Sequence, residues 1–245
     1  MNAALMEVTV GFAAIPAELI VEMIRLVPGA YGHICQLNKR CKGIVAPHLE
    51  WAKTASCRPV NKSDSVYWCL PNGAMHGMFI GNYNSGNTKC DYIYVDGKRH
   101  GRCVGYYESG AKEYEMNYRD DIRHGKCIGY HKTGTVDYEC TYVGDKLGGE
   151  YIGYYECGAI RCRKNYVDGK QHGKSIIYFR SGKISYETDF VNGEVHGKSI
   201  SYYASGAIEY EYNYRDGDTH GKSVGYYENG DVKYAVEYIN GDRVS

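Results

Sequence analysis

The chain carries no excess of either charge: 29 Lys and Arg balance 29 Asp and Glu over 245 residues. A strong field of one sign is what draws a protein to nucleic acid or to an anionic bilayer, so neither is expected as the main partner. Paired cysteine spacing is missing as well, since ten Cys occur without one Cys-x-x-Cys. Cys103 and Cys127 occupy a position filled by Ser175, Ser199 and Ser223 further along the chain. A bridge cannot be exchanged for serine one copy at a time, so these read as small, semi-apolar free thiols. Met1 to Ala14 includes Glu7 and no basic segment, so no secretory signal is expected. No apolar run approaches the roughly 20 residues that span a bilayer. The expected compartment is therefore a reducing one, the cytoplasm foremost.

Catalytic motifs are absent too. No Walker loop, dinucleotide fingerprint, nucleophile elbow or zincin motif occurs, so the chain reads as no enzyme, with no cofactor and no metal site.

What the chain has is tyrosine, glycine and a period. There are 27 Tyr and 31 Gly against four Phe and five Pro. His-Gly falls at His76, His100, His124, His172, His196 and His220, with Gly148-Gly149 in the vacant place, so the period is 24 residues. A second landmark keeps phase: Ser85-Gly86, Ser109-Gly110, Thr133-Gly134, Cys157-Gly158, Ser181-Gly182, Ser205-Gly206 and Asn229-Gly230. Each unit reads as two strands rich in β-branched and aromatic residues. Asp96-Gly97, Asp168-Gly169, Asn192-Gly193, Asp216-Gly217 and Asn240-Gly241 mark the tight turns between units, where positive φ is required.

A two-residue turn at Ser109-Gly110 sets Tyr107 opposite position 112, Gly105 opposite Tyr114 and Gly101 opposite Tyr118. Both glycines then lie under tyrosine rings. On this register the Tyr118 column (Tyr94, Tyr142, Tyr166, Phe190, Tyr214, Tyr238) and the position-112 column form the core face; a three-residue loop would change that parity. The opposite face carries a charged column through Glu113 beside an aromatic stripe of Tyr106, Tyr130, Tyr154, Tyr178, Tyr202 and Tyr226. Such a stripe bordered by charge suits contact with a protein target, although the rings can equally pack along the sheet. Strand spacing of about 4.8 Å gives seven units a length on the order of 65–70 Å. At that spacing neighbouring His side chains do not share an ion, and they are expected to pack or hydrogen-bond at the hairpin turns. Val66, Trp68 and Leu70 read as a half-unit in the Tyr114, Met116 and Tyr118 columns.

The pattern Gly-Lys-x-x-x-Tyr-Tyr-x-x-Gly, then Tyr, then Asn/Asp-Gly-x-x-His-Gly resembles the MORN repeat in a variant form, over residues 72–245. The resemblance implies a scaffold for protein contacts, with phospholipid a disfavoured partner. Residues 12–55 differ in composition and follow a helical stripe through Leu19, Ile20, Met23, Ile24 and Val27. Residues 56–71 are a linker with the capping half-unit. The fold class is thus α+β, mainly β: a small helical module followed by an antiparallel β-hairpin array.

Ile15-Pro16-x-Glu18-Leu19-Ile20-x-x-Met23-Ile24, followed by Leu37-Asn38-Lys39-Arg40-Cys41, resembles an F-box. The resemblance implies binding to the Skp-type adaptor of a cullin–RING ubiquitin ligase, through Ile15, Pro16, Leu19, Ile20, Ile24 and Leu37. The pairing of such a module with MORN-like units is similar to proteins of large DNA viruses of amoebae, which would place the chain in a host cytoplasm. The expected role is a substrate receptor whose array holds an unidentified target. The alternative is a structural or membrane-apposed scaffold whose N-terminal helices are only a cap.

Overall fold

The computed structural model describes residues 57–70 and 72–244, which are all β-strand, turn and loop. The F-box-like module expected at 12–55 lies outside the described residues. Two compact units divide between His100 and Gly101.

The first unit contains β1 (Arg58–Asn61), β2 (Ser65–Cys69), β3 (Met75–Asn82), β4 (Thr88–Val95) and β5 (Lys98–Arg99), each antiparallel to the next. Here β2 stands where the half-unit was expected, but one residue out of column. Ser65 faces Gly81 and Tyr67 faces Phe79, so Tyr67 rather than Trp68 takes the Met116 place. The cause is the turn at 70–74, in which the Leu70 and Gly73 N–H groups donate to the Ala74 and Leu70 carbonyls. It is a longer connection than the tight turns elsewhere.

The second unit repeats one motif. It begins with β6 (Gly101–Tyr106), β7 (Lys112–Arg119) and the two-residue β8 (Ile122–Arg123). The same three strands recur as β9 (Gly125–Tyr130), β10 (Val136–Val143) and β11 (Lys146–Leu147), then β12 (Gly149–Tyr154), β13 (Ile160–Val167) and β14 (Lys170–Gln171). β15 (Gly173–Tyr178) and β16 (Ile184–Val191) lead into β17 (Glu194–Tyr202), which fuses the short strand with the next long one. β18 (Ile208–Arg215), β19 (Asp218–Thr219), β20 (Gly221–Tyr226), β21 (Val232–Ile239) and β22 (Asp242–Arg243) complete it.

Two turn types alternate. Between β7 and β8, Asp120 and Asp121 have φ of 53° and 70°; between β10 and β11, Gly144 and Asp145 have 60° and 65°. These belong with Asp216-Gly217 and its equivalents, because a two-residue hairpin needs positive φ twice and Asp tolerates it. At the other end of each hairpin the loop has three residues. Tyr107 N–H donates to Ala111 O and Gly110 N–H to Tyr107 O, at 2.8 and 2.9 Å.

That loop corrects the expected columns. Tyr106, not Tyr107, faces Lys112; Glu113 is then an extra residue in a bulge, and beyond it Gly105 faces Tyr114 and Gly101 faces Tyr118 as expected. The loop adds one residue and the bulge removes the offset. The position-112 column therefore lies with the Tyr106 stripe, and the Glu113 column lies with Tyr107: Lys233 Nζ sits 5.8 Å from the Tyr227 ring centre.

The core of the second unit is a row of small side chains on the Tyr114–Tyr118 face. Cys103, Cys127, Ser199 and Ser223 are at most 1% exposed there. Their smallness follows from the rings that lean over them. A Cβ on Gly225 would stand 2.5 Å from Tyr234 Cε1, and on Gly105 or Gly129 it would come still nearer to Tyr114 or Tyr138. Gly125, the second glycine of its pair, is not under a ring: the nearest atom to a Cβ there would be Asn117 Cβ at 3.9 Å. Gly125 is needed for its φ of 86°, where His124-Gly125 inserts two extra residues between the Arg123–Tyr118 and Ile128–Glu115 pairs. Asn117 Nδ2 answers the disrupted ladder by donating to Lys126 O at 3.1 Å, and Asn213 does the same to Lys222 O at 2.6 Å.

Candidate protein-interaction face

The tyrosine stripe stands on the face opposite the small-residue row. Tyr106, Tyr130, Tyr154, Tyr178, Tyr202 and Tyr226 are all half-buried, each ending a first strand. The hydroxyls of Tyr130, Tyr202 and Tyr226 are each held by a carboxylate. Tyr130 donates to Glu115 Oε1 at 3.4 Å, Tyr202 to Glu187 Oε1 at 2.5 Å and Tyr226 to Glu211 Oε2 at 3.3 Å. Each bond runs from one repeat to a carboxylate of the repeat before it.

Two of the acceptor carboxylates, Glu115 and Glu187, are themselves held by cations. Arg102 Nη2 lies 2.8 Å from Glu115 Oε2, Lys112 Nζ 2.5 Å from Glu115 Oε1, and Lys174 Nζ 3.3 Å from Glu187 Oε2. The Lys112 hydrogen bond, reinforced by Arg102, holds the Glu115 carboxyl below its ordinary range. For Glu187 the hydroxyl of Tyr202 is the largest cause of the same downward shift. Burial, with the Glu187 carboxylate next to it, pushes the Tyr202 hydroxyl up to about 12. In the Tyr202–Glu187 bond the hydroxyl is therefore the donor and the carboxylate the acceptor.

The cation–carboxylate pairs are 13 residues apart in sequence: Arg102–Glu115, Lys126–Glu139 and Lys174–Glu187. In the copy between them the signs are exchanged together, Glu150 pairing with Arg163 at 2.6 Å. This compensated swap is legible in the sequence once the 13-residue spacing is known, and no single-column reading finds it.

Neighbouring repeats are also joined at the two ends of their hairpins. On the three-residue-loop side, Tyr107, Tyr155 and Tyr203 hydroxyls donate to the carbonyls of Tyr130, Tyr178 and Tyr226 at 2.6–2.8 Å. His131 Nε2 lies 3.2 Å from Tyr154 O in the equivalent place. On the tight-turn side, the N–H groups of Asn192, Asp216 and Asn240 point at Nδ1 of His172, His196 and His220 at 3.4–3.5 Å. The adjoining Gly193, Gly217 and Gly241 N–H groups donate to Gln171, Val195 and Thr219 carbonyls at 2.8–2.9 Å. Nδ1 of His196 and His220 also lies 3.3 and 3.2 Å from Asp216 Oδ1 and Asn240 Oδ1, so these histidines are bound into the hairpin turns.

Comparison with known proteins agrees with this repeat. The sequence pattern of the MORN repeat variant matches residues 99–120, 123–143, 171–192, 195–216 and 219–240. These five copies are MORN repeats. The copy passed over between 143 and 171 is the one with Gly148 in place of His and with the Glu150–Arg163 reversal. No curated protein matches the chain.

Among solved structures, the array is similar to a TarM mutant of S. aureus in complex with fondaparinux, alpha-GlcNAc-glycerol and UDP, at 10% identity and TM-score 0.21, covering 61% of this chain and 27% of that one. A TcdB2-TccC3-Cdc42 structure gives 10% identity and TM-score 0.21, with 72% of this chain and 14% of that one covered. A porin-like protein from Bacteroides uniformis gives 9% and 0.20, covering 77% and 91%. At TM-scores this low, a shared richness in strands carries no inference about activity.

Proposed function

We propose that the protein is a non-enzymatic substrate receptor of a cullin–RING ubiquitin ligase, in which the MORN array holds the target. The observation that supports it is the tyrosine stripe, in which the Tyr130, Tyr202 and Tyr226 hydroxyls are tied to Glu115, Glu187 and Glu211 while all six rings stay half-exposed. Rings ordered in advance lose little side-chain entropy when a partner lands on them, and tyrosine is the residue that combines apolar area with a polar handle. The Lys and Arg partners of Glu115, Glu139 and Glu187 neutralise them locally, so the face presents alternating charge and not a field of one sign. This favours a protein surface over an anionic membrane, where each basic residue would add roughly 1 kcal/mol.

The link to the ligase rests on the F-box resemblance of Ile15, Pro16, Leu19, Ile20, Ile24 and Leu37, all outside the described residues. The full chain should capture purified Skp-type adaptor, and Leu19→Asp with Ile20→Asp should abolish capture without altering the β-sheet circular dichroism signal. Adaptor capture retained by that double variant overturns the ligase role and leaves the array as a scaffold with a different tether.

A further inference from the structure

One hairpin of the array places two thiols opposite each other. Cys127 on β9 and Cys140 on β10 are direct cross-strand partners on the small-residue face, 1% and 4% exposed. The equivalent positions of the other hairpins hold Cys103 with Met116, Ser175 with Thr188, and Ser199 with Tyr212, so the pairing of two thiols is peculiar to this copy. Directly opposed residues of an antiparallel pair have Cα atoms about 4.5–5.5 Å apart, inside the roughly 4.4–6.8 Å range that disulfides adopt. We infer that Cys127 and Cys140 are a modification site: a cross-strand dithiol that closes to a disulfide by exchange with a low-molecular-weight aliphatic disulfide, and reopens with the corresponding thiol.

The exchange balances without further reagents. The Cys127 thiolate attacks one sulfur of R–S–S–R, forming a mixed disulfide and releasing one thiolate, which takes up the proton Cys127 gave. Cys140 then loses its proton and attacks Cys127 Sγ, and the second R–S⁻ leaves and takes up that proton. Two protein thiols are oxidised to one disulfide, and one external disulfide is reduced to two thiols. The order of attack follows from the surroundings. Cys140 hydrogen-bonds the Cys127 sulfur and draws its titration down, while the same contact and burial push the Cys140 thiol up.

Access is set by one ring. Tyr138 lies flat over Gly129 and its hydroxyl reaches Cys127, so the ring roofs the thiol. Two repeats along the array, Ile177 stands where Gly129 stands here, and its partner Tyr186 is 36% exposed. The fold thus tolerates a large side chain at that place and answers by lifting the tyrosine. Gly129→Ile should uncover the dithiol in the same way.

The test uses the full chain in graded mixtures of oxidised and reduced glutathione, followed by acid quench, alkylation and peptide mapping by mass spectrometry. A peptide pair linked through Cys127 and Cys140, lighter by two hydrogens and restored by excess reduced glutathione, is expected. Cys140→Ser should instead accumulate glutathione on Cys127, and Gly129→Ile should close the bond at least tenfold faster than the parent. If both thiols remain alkylatable, in the parent and in Gly129→Ile alike, at ratios where exposed Cys157 already carries glutathione, the assignment is wrong. A bond from either cysteine to a different partner overturns it equally, and the parent chain alone decides that point.

Discussion

The Tyr107 hydroxyl donates to the carbonyl oxygen of Tyr130 across 2.8 Å, from the loop of one repeat to the strand end of the next. In the Tyr202-Tyr203 pair the two tyrosines do different work. Tyr202 stands on the candidate binding face and is tied backward to Glu187, while Tyr203 reaches forward to the carbonyl of Tyr226. A one-dimensional array gains cohesion only from its nearest-neighbour interfaces, so these bonds bear directly on cooperativity. Phe179 occupies the same position without a hydroxyl, so this bond is missing at the junction after β15.

Restoring that hydroxyl is a direct test. Phe179→Tyr should raise stability by about 0.5–1.5 kcal/mol, the net worth of an ordinary hydrogen bond, while Tyr155→Phe should lower it by a similar amount. Urea denaturation followed by tyrosine fluorescence reads both. Shifts of the same sign in the two variants would show that the hydroxyl contacts are incidental.

Gly225→Ala tests the roof of the core. The added methyl would meet Tyr234 Cε1 at 2.5 Å, and the ring must swing away from Ser223 and its neighbours. Overpacking of this kind costs about 1–3 kcal/mol. The same change at Gly230, with φ of 89° and no neighbour within 4 Å, strains only the backbone and leaves the ring in place. Near-ultraviolet circular dichroism, sensitive to tyrosine packing, should change for Gly225→Ala and stay as in the parent for Gly230→Ala.

The period, the two turn positions and the pairing of Gly105 with Tyr114 and of Gly101 with Tyr118 were all legible in the sequence. The columns nearest the loop were not. A three-residue loop and a bulge at Glu113 each displace the register by one and cancel beyond Gly105, so any reading anchored further down the strands cannot detect either. Asp120-Asp121 and Gly144-Asp145 escaped a search for Asx-Gly because two carboxylate residues, or the reversed order, meet the same demand for positive φ. The stripe of six tyrosines was visible as a column. Its coupling to Glu115, Glu187 and Glu211 was not, because that bond crosses between repeats and depends on which strands become neighbours.

The reversed ion pair makes a double-mutant cycle. Glu150→Lys alone sets a lysine against Arg163, and Arg163→Glu alone sets two carboxylates together. The double variant restores the Lys126–Glu139 order. Both groups are partly exposed, so the coupling should be small, about 0.3–1 kcal/mol, and should fade in high salt. Strictly additive single effects would mean that the swap is accidental.

Acid should loosen the array through the glutamates that hold the tyrosine stripe. Glu115 and Glu187 are depressed in the folded chain, by Lys112 and Arg102 in one case and by Tyr202 and Lys174 in the other. A carboxyl whose folded pKa lies below its unfolded value contributes stability that is fully present above the unfolded value. That contribution declines as pH falls below the ordinary carboxylate range and is gone once pH has passed through the folded pKa. The urea midpoint should therefore stay level from neutral pH down to about pH 5 and drop below it. Glu115→Gln with Glu187→Gln removes the groups that titrate, so the double variant should begin from a lower midpoint at neutral pH and show a flatter acid limb. The same variant should weaken target capture, because the Tyr130 and Tyr202 hydroxyls lose their ionised acceptors and the rings their fixed pose. An acid limb as steep as the parent's would assign the loss of stability to other carboxylates and remove the electrostatic basis for a preordered stripe.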